Sequence, residues 1–307
     1  MSNYTVSNIG QNAGSGSTTA SFLKIFSGEV ITAFETANST LDKHLVRTIS
    51  NGKSAQFPIV GKATASYHTA GNEITGDAIK HNEKIIHVDD MLLSSSFVAE
   101  IDELKNHYDI RQIYAREMGQ ALAKTVDQNL LQLAVLGANA SATITGGDAG
   151  TVITDADANT NATSLIASLF EGIQKLDEKD VPSTDRYIVV SPDIYYQLAN
   201  NDKLLNRDFS TLNGDFGKGT VVSVGGVPVI KSNTCVSAFA DNSSAVSGAN
   251  NTYNIDASNY VAVMFHKSAI GTVKLKDLVV ETTYDARRLD TLITGRMAVG
   301  SNVLRPE

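Results

Sequence analysis

The stretch KSAQFPIVGKATASYHTAGNEITGDAIKHNEKIIHVDD, residues 53–90, decides how this chain is read. Residues 53–67 have the composition of an extended run. Pro58 within it lacks an N–H, which restricts the strand to an edge or to a position where that donor is not needed. Residues 68–82 carry turn signals, Ala70-Gly71-Asn72 and Gly76-Asp77. EKIIHVDD, 83–90, then reads as a returning strand. The product is a long two-stranded hairpin with a broad tip. An isolated hairpin is marginal in water, so one of this length is expected to lie across a neighbouring molecule. Phe57, Ile59, Val60, Ile79, Ile85 and Ile86 are the residues expected to bury apolar area there, at about 25 cal/mol per Å². Intrachain core is the alternative, and periodicity leaves it open for Phe57 and Ile85.

Upstream, MSNYTVSNIGQNAGSGSTT (1–19) is polar and rich in Gly, Ser and Thr, and reads as a mobile arm. It has neither the basic start nor the apolar core of a secretory signal. Phe22, Ile25, Phe26, Val30, Ala33 and Phe34 follow at helical spacing, with Ser21 as a possible N-cap. A helix this short must pack on something to persist. Its Phe22, Phe26 and Phe34 face is expected to clamp a second inter-subunit contact.

Downstream, residues 100–136 hold the best helical pattern. Ile110, Ile113, Tyr114, Met118, Ala121, Leu122, Val126, Leu130, Leu133 and Leu136 recur at three- and four-residue steps, with Lys105, Arg111, Arg116, Glu117 and Lys124 mostly off the stripe. Gly137 is the expected stop. Residues 138–161 form a low-complexity loop of mobile character. A helix is expected over 162–179, ended by Val181-Pro182. RYIVVS (186–191) reads as a buried strand, and Ser191-Pro192-Asp193 as the start of a short helix. TVVSVGGVPVIKS (220–232) reads as a hairpin turning at Gly225-Gly226. Residues 236–258 form a polar loop, and the remainder to 307 is β-rich. No internal repeat is found.

Bulk properties narrow the function classes. A chain of 307 residues, 42% hydrophobic and 19% charged, can bury a sizeable core. No stretch approaches the roughly 18 apolar residues of a membrane span. The single cysteine, Cys235, excludes an intrachain disulfide and a cysteine zinc cluster. The formal net charge is −8, and residues 141–260 hold most of the excess, with 7 Lys/Arg against 14 Asp/Glu. That balance opposes tight binding to nucleic-acid phosphates.

A search for chemistry returns nothing. GDFGKGT (214–220) fails the phosphate-loop pattern, because Leu212 stands where the first glycine is required and Gly219 follows the lysine. His81 and His87 flank Glu83 at a spacing of six on an expected strand, roughly 20 Å apart at ~3.3 Å per residue, too far to share a metal. Asp89 and Asp90 point to opposite faces of an extended chain. Asp155 and Asp157 lack the remaining ligands of a calcium loop. Cys235 reads as a buried, inert thiol. Asn38-Ser39-Thr40 is a glycosylation sequon, which means little without secretion. No catalytic, cofactor or metal residues are assigned.

The runs FLKIFSGEVITAF (22–34), HLVRTISNGKSAQFPIVGKATASY (44–67), IKHNEKIIHVDD (79–90), NHYDIR (106–111), FHKSAIGTVKLKDL (265–278) and LRPE (304–307) resemble, in order, the major capsid proteins of T7-like short-tailed bacteriophages. The middle third matches in outline, around VPSTDRYIVVSPDIYYQL (181–198). The resemblance implies an α+β chain with the HK97-type capsid fold. Its parts would be an N-terminal arm (1–50), an extended loop (51–92), a peripheral domain with a spine helix (93–160), an axial domain (161–260) and return strands completing the peripheral domain (261–307). It further implies a structural, non-enzymatic protein without cofactors, building hexamers and pentamers of a T=7-type shell in the virion. Its implied partners are a scaffolding protein and a portal protein, with double-stranded DNA enclosed but not read. Assembly would take place in the bacterial cytoplasm, as a precursor shell that later expands. Some relatives of this fold cross-link their shells through a lysine. Lys62 and Lys80 lie in the extended loop, but the T7-like group is not expected to cross-link. The competing readings are an encapsulin-like nanocompartment shell, a hydrolase with an unrecognised site, and a secreted β-rich adhesion protein.

Overall fold

The computed structural model describes residues 6–7, 29–34, 38–40, 42–63, 65–74, 76, 78–99, 111–201 and 223–307. Phe22, Phe26, most of the arm, the segment 100–110 and the run 214–220 lie outside these residues. Thirteen strands are described. In chain order they are β1 Val6–Ser7, β2 Leu45–Thr48, β3 Ser54–Val60, β4 His81–His87, β5 Leu92–Ala99, β6 Arg186–Val190, β7 Ser223–Val224, β8 Val227–Lys231, β9 Asp241–Asn242, β10 Ile255–Asp256, β11 Ala262–His266, β12 Ile270–Asp285 and β13 Asp290–Val303. The helices are α1 Arg111–Asn139, α2 Ala162–Glu178, α3 Pro192–Ala199 and α4 Cys235–Ala238, with a further helical segment at 29–34.

Four sheets organise the strands. A five-stranded sheet has the order β1-β5-β13-β12-β2 and a four-stranded sheet the order β11-β6-β8-β7. Two-stranded ladders pair β10 with β9 and β3 with β4. The five-stranded sheet is built on β12 and β13, of 16 and 14 residues, which pair antiparallel from Ile270 opposite Val303 to Asp285 opposite Asp290. At ~3.3 Å per residue β12 spans about 50 Å.

Helix α1 links the two larger sheets. Its 29 residues are about 43 Å long at 1.5 Å rise. The first half is amphipathic. Ala115, Met118, Leu122 and Ala123 pack on Val98, Leu278, Ile293 and Met297 of the five-stranded sheet. The second half is buried almost all round, as a helix must be when apolar side chains cover its whole circumference. Leu130, Leu131, Leu133, Ala134 and Val135 meet Val189, Val263 and Phe265 of the four-stranded sheet, with Cys235, Ile270 and Val303. The alternation of β6 explains how its sheet buries both faces. Val189 turns toward α1, while Ile188 and Val190 turn toward Leu165, Ile166 and Leu169 of α2 and Ile194 and Leu198 of α3.

One glycine permits a close crossing on α1. A Cβ on Gly119 would stand 2.5 Å from the Val30 carbonyl oxygen, so the helical segment 29–34 rests directly on the α1 backbone there. Gly137 does not stop the helix as expected. It is buried inside α1 against Val303, and the helix continues to Asn139, whose side-chain amide donates back to the Val135 carbonyl at 2.8 Å. Ile113 and Ala121, expected on the buried stripe, are exposed. Other expectations hold closely. Gly225 and Gly226 turn the β7–β8 hairpin with positive φ of 57° and 82°, the left-handed pair a tight hairpin requires. Ser191 opens α3 with Pro192 following, although its hydroxyl donates to Asp193 rather than capping the helix amides. The 138–161 loop is irregular but tied down. Asp155 accepts from the Ser164 and Ser168 hydroxyls at 2.7 and 2.8 Å. The 236–258 region, expected as loop, contains most of α4 and the β9–β10 ladder.

Candidate inter-subunit interface

The β3–β4 hairpin predicted from residues 53–90 is present. Its seven antiparallel pairs run from Ser54 opposite His87 to Val60 opposite His81. It forms a sheet of its own, flanked by no other strand among the described residues. Pro58 lies opposite Glu83 on an edge, where its missing donor breaks no second ladder.

The base of the hairpin is anchored by burial. Ala55 and Ile86 pack on Val273 of β12 and Leu304, with Ile49, Phe57 and Val88 around them. The Arg47 guanidinium stands 5.9 Å from the centre of the Phe57 ring and donates to the Gln56 carbonyl at 2.6 Å. Gly300 allows β13 to pass beneath, since a Cβ there would overlap the His87 carbonyl oxygen.

Asp89, just beyond β4, makes the second anchor. Its carboxylate accepts the backbone N–H groups of Asn250 and Asn251 at 2.7 and 3.1 Å, the Asn251 amide at 2.9 Å, and the Tyr253 hydroxyl. The Asn250 and Asn251 amides also donate to the Val88 and His87 carbonyls at 2.7 and 2.6 Å. Burial, and then the Asp89 charge, push the Tyr253 phenol upward, so it remains a donor. The Asp89-Asp90 pair is therefore structural, with Asp90 tied through its N–H to the Gly248 carbonyl at 2.9 Å.

Further out, the stem touches the body through polar groups. The Asn82 amide donates to the Thr143 carbonyl at 2.7 Å. The Lys62 ammonium lies 2.9 Å from Asp180 and 3.4 Å from Asp148. The hydrogen bond that Lys62 donates to Asp180 is the main cause that raises the Lys62 pKa. From Lys62 to Lys80 every described residue is exposed.

The structure divides the sequence-predicted contact residues. Val60 (59%), Ile79 (52%) and Ile85 (40%) are exposed. Tyr67 and Ile74, which the reading did not single out, are exposed as well. Ile86 is fully buried and Ile59 nearly so, and Phe57 is partly buried against the base cluster. Phe34 is buried against α1 and the five-stranded sheet. For Phe34, Ile59 and Ile86 the burial is within this chain, which leaves them little surface for a neighbour. The physical reason is the alternation of a strand: Ile85 and Ile86 must face opposite ways, and only one face meets β12.

Sequence reasoning missed one organising residue. Asp127 is wholly buried in mid-α1 and accepts from the Ser39 N–H and hydroxyl at 2.7 and 2.8 Å, and from the Thr40 N–H and hydroxyl. His44 follows, its Nδ1 2.9 Å from the Thr40 carbonyl and its pKa lowered chiefly by burial. The Ser-Thr pair of the sequon was the available signal, and it matches a charged residue 87 positions away that no local pattern reveals.

Among the described residues no side chains gather into a reaction centre. A cavity of about 500 Å³ lies between the C-terminal half of α1, α2 and β11, but Asp155 at its wall is held by Ser164 and Ser168. Those bonds, Ser164 first, keep its carboxylate below the usual range, which suits a structural acceptor and not a general base. Cys235 is buried, and burial pushes its thiol up to about 12. Among the described residues no three His, Cys, Asp or Glu side chains come together as a metal site, and no helix is long and apolar enough to cross a membrane.

A chain with a packed β3–β4 hairpin and a long helix joining two sheets can be compared with known proteins. The Gp10A-like major capsid protein family matches residues 56–307. This chain belongs to that family. It is 33% identical over 330 aligned positions to the major capsid protein of Enterobacteria phage T3, covering 97% of this chain and 94% of that one. Against the major capsid protein of Escherichia phage T7 it is 31% identical, with the same coverage. The capsid structure of cyanophage P-SCSP1u superimposes with a TM-score of 0.76 at 41% identity, covering 86% of this chain and 84% of that chain. The capsid family fixes the coarse function: a structural, shell-forming subunit of a virion capsid, which acts as a multimer. Its fold is the mixed helix-and-sheet, HK97-like fold of phage capsid proteins. The encapsulin-like alternative is not favoured by these relatives.

Proposed function

We propose that this capsid protein assembles into hexamers and pentamers of a T=7-type icosahedral shell, first as a precursor around a scaffolding protein, with a portal at one vertex. The shell then expands as double-stranded DNA is packaged. Assembly takes place in the host cytoplasm. In this reading residues 1–50 are the arm, 51–92 the extended loop, 93–160 with 261–307 the peripheral domain, and 161–260 the axial domain. Helix α1 is the spine joining the last two.

The observation that carries this reading is the β3–β4 hairpin. It stands outside both large sheets, packed on the body through one face of its stem, with Val60, Ile79 and Ile85 exposed along it. Laid over a neighbour, these residues would be covered, and modest contacts repeated around a shell sum to large collective stability. The acidic excess of 141–260 suits an inner wall that repels packed DNA. A particle with those carboxylates mainly on its outer surface would overturn that part. The assembly reading is tested by negative-stain microscopy of the chain co-expressed with its scaffold. Closed shells of uniform size are expected. A soluble monomer that never assembles, with the scaffold present, would contradict it.

A further inference from the structure

The attachments of the hairpin differ in kind. At its base the Ala55–Ile86 cluster is buried and the Asp89 hub half-buried. Toward the outer end of the stem Ile59 is buried and the Asn82 amide bonds to the Thr143 carbonyl. Beyond the stem Lys62 is the last attachment before the exposed tip. Its ammonium donates to Asp180 at 2.9 Å, to Asp148 at 3.4 Å and to the Lys179 carbonyl at 3.1 Å. All three acceptors belong to a different part of the chain, the 140s loop and the end of α2.

The end of α2 is shaped for this contact. Asp180 N–H bonds to the Asp177 carbonyl and Val181 N–H to the Leu176 carbonyl, both at 3.0 Å, which closes the helix in a Schellman turn with Asp180 at the left-handed position. Asp180 has φ of 61°. Glycine is the usual residue there because any Cβ is disfavoured. An aspartate at that position carries a carboxylate to Lys62 that glycine cannot supply. Lys179, the residue whose carbonyl Lys62 also meets, is the C-cap, where the helix dipole favours a cation. Helix end, loop carboxylate and strained aspartate converge on one lysine of the hairpin. The contact is exposed, with Lys62 54% and Asp180 80% accessible, so it is weak, salt-screened and releasable. It does not cover Val60, Ile79 or Ile85, so it cannot serve to hide them.

We propose that Lys62, clasped by Asp180, Asp148 and the Lys179 carbonyl, is a positioning residue that aims the outer half of the hairpin, so that its exposed apolar residues meet a neighbouring copy in one register. This rests on the reading of the hairpin as an inter-subunit element. Base anchors keep the hairpin folded. The clasp sets its direction.

The test compares Lys62→Ala, Asp180→Gly and Lys80→Ala with the parent full-length chain. Lys80 sits across the hairpin and forms no ion pair among the described residues, so its loss controls for charge alone. Amide exchange of residues 57–62 and 79–84 in unassembled subunits should rise roughly 2- to 5-fold in the Lys62 and Asp180 variants and not in the Lys80 variant. About 1 M salt should produce the same rise in the parent and none in Lys62→Ala. The unfolding midpoint should be unchanged in Lys62→Ala and unchanged or higher in Asp180→Gly, because glycine relieves the left-handed position. On co-expression with the scaffold, both clasp variants should give shells of scattered size, and Lys62→Arg should restore uniform ones. Unchanged exchange in Lys62→Ala would overturn the clasp. Raised exchange with uniform shells would overturn the aiming role, provided Val60→Asp, assayed alongside, blocks assembly. If Val60→Asp also builds normal shells, the fault lies with the inter-subunit reading of the hairpin.

Discussion

Two long antiparallel hairpins, β3–β4 and β12–β13, sit in one chain and end differently. The β12–β13 pair is flanked by β2 on one side and β5 on the other, and Val273, Ile293 and Met297 on it are all but inaccessible. The β3–β4 pair has two free edges among the described residues and is buried on one face only, through Ala55 and Ile86 at its base and Ile59 toward its outer end. Their local chemistry is alike. What separates them is what their edges and faces meet. A free edge invites pairing with other chains, and Pro58 with charged Glu83 and Lys84 blunts that tendency in β3–β4 while leaving its apolar side chains outward. One hairpin is scaffold, and the other is the limb that we propose meets a neighbouring subunit.

That contrast can be broken by mutation. The largest loss of stability belongs to the scaffold. Ile293→Ala should cost about 2–5 kcal/mol by urea denaturation, the range for a core isoleucine truncated to a methyl. Ile86→Ala, at the base of the limb, should fall in the lower part of the same range, whereas its neighbour Ile85→Ala should stay within about 0.5 kcal/mol, since Ile85 is exposed. Equal effects at 85 and 86 would mean the hairpin is not anchored by one face. Removing the hub with Asp89→Ala leaves the Tyr253 hydroxyl and two backbone donors without their acceptor, and should cost about 1–3 kcal/mol.

A smaller effect concerns pH. Burial lowers the His44 pKa below 6.5, so the unfolded chain binds the proton more readily. Stability should therefore fall as pH drops below about 6.5, and His44→Asn should flatten that part of the profile in thermal unfolding. The smallest expected effect on stability is at the limb's surface. Val60→Asp should change the unfolding free energy by less than about 0.5 kcal/mol and yet abolish shells under the microscope. Insoluble protein would assign Val60 to the core instead.

Much of this architecture was legible because it follows from period and punctuation. Alternation and turn residues located both strands of the limb, and three- and four-residue spacing located α1. Gly225-Gly226 marked its turn. What the pattern could not supply was the partner of each face. Ile85 and Ile86 are equally apolar, and only the position of β12 decides which is buried. Gly137 looked like a helix stop because glycine usually is one there, but α1 runs on to Asn139 and buries Gly137 beside Val303, 166 positions later. Asp127, which the helical pattern passes over, is the acceptor that pins Ser39 and Thr40 to α1. Each miss is a long-range contact overriding a local preference.

The central claim is that the β3–β4 hairpin works between subunits. It is tested most directly by a cryo-electron microscopy reconstruction of assembled particles at side-chain resolution. The account predicts residues 54–87 lying over an adjacent subunit, with Val60, Ile79 and Ile85 covered by it and Ile86 still packed on Val273 of its own chain. A hairpin folded back on its own subunit, or standing free with those three residues in solvent, would contradict it.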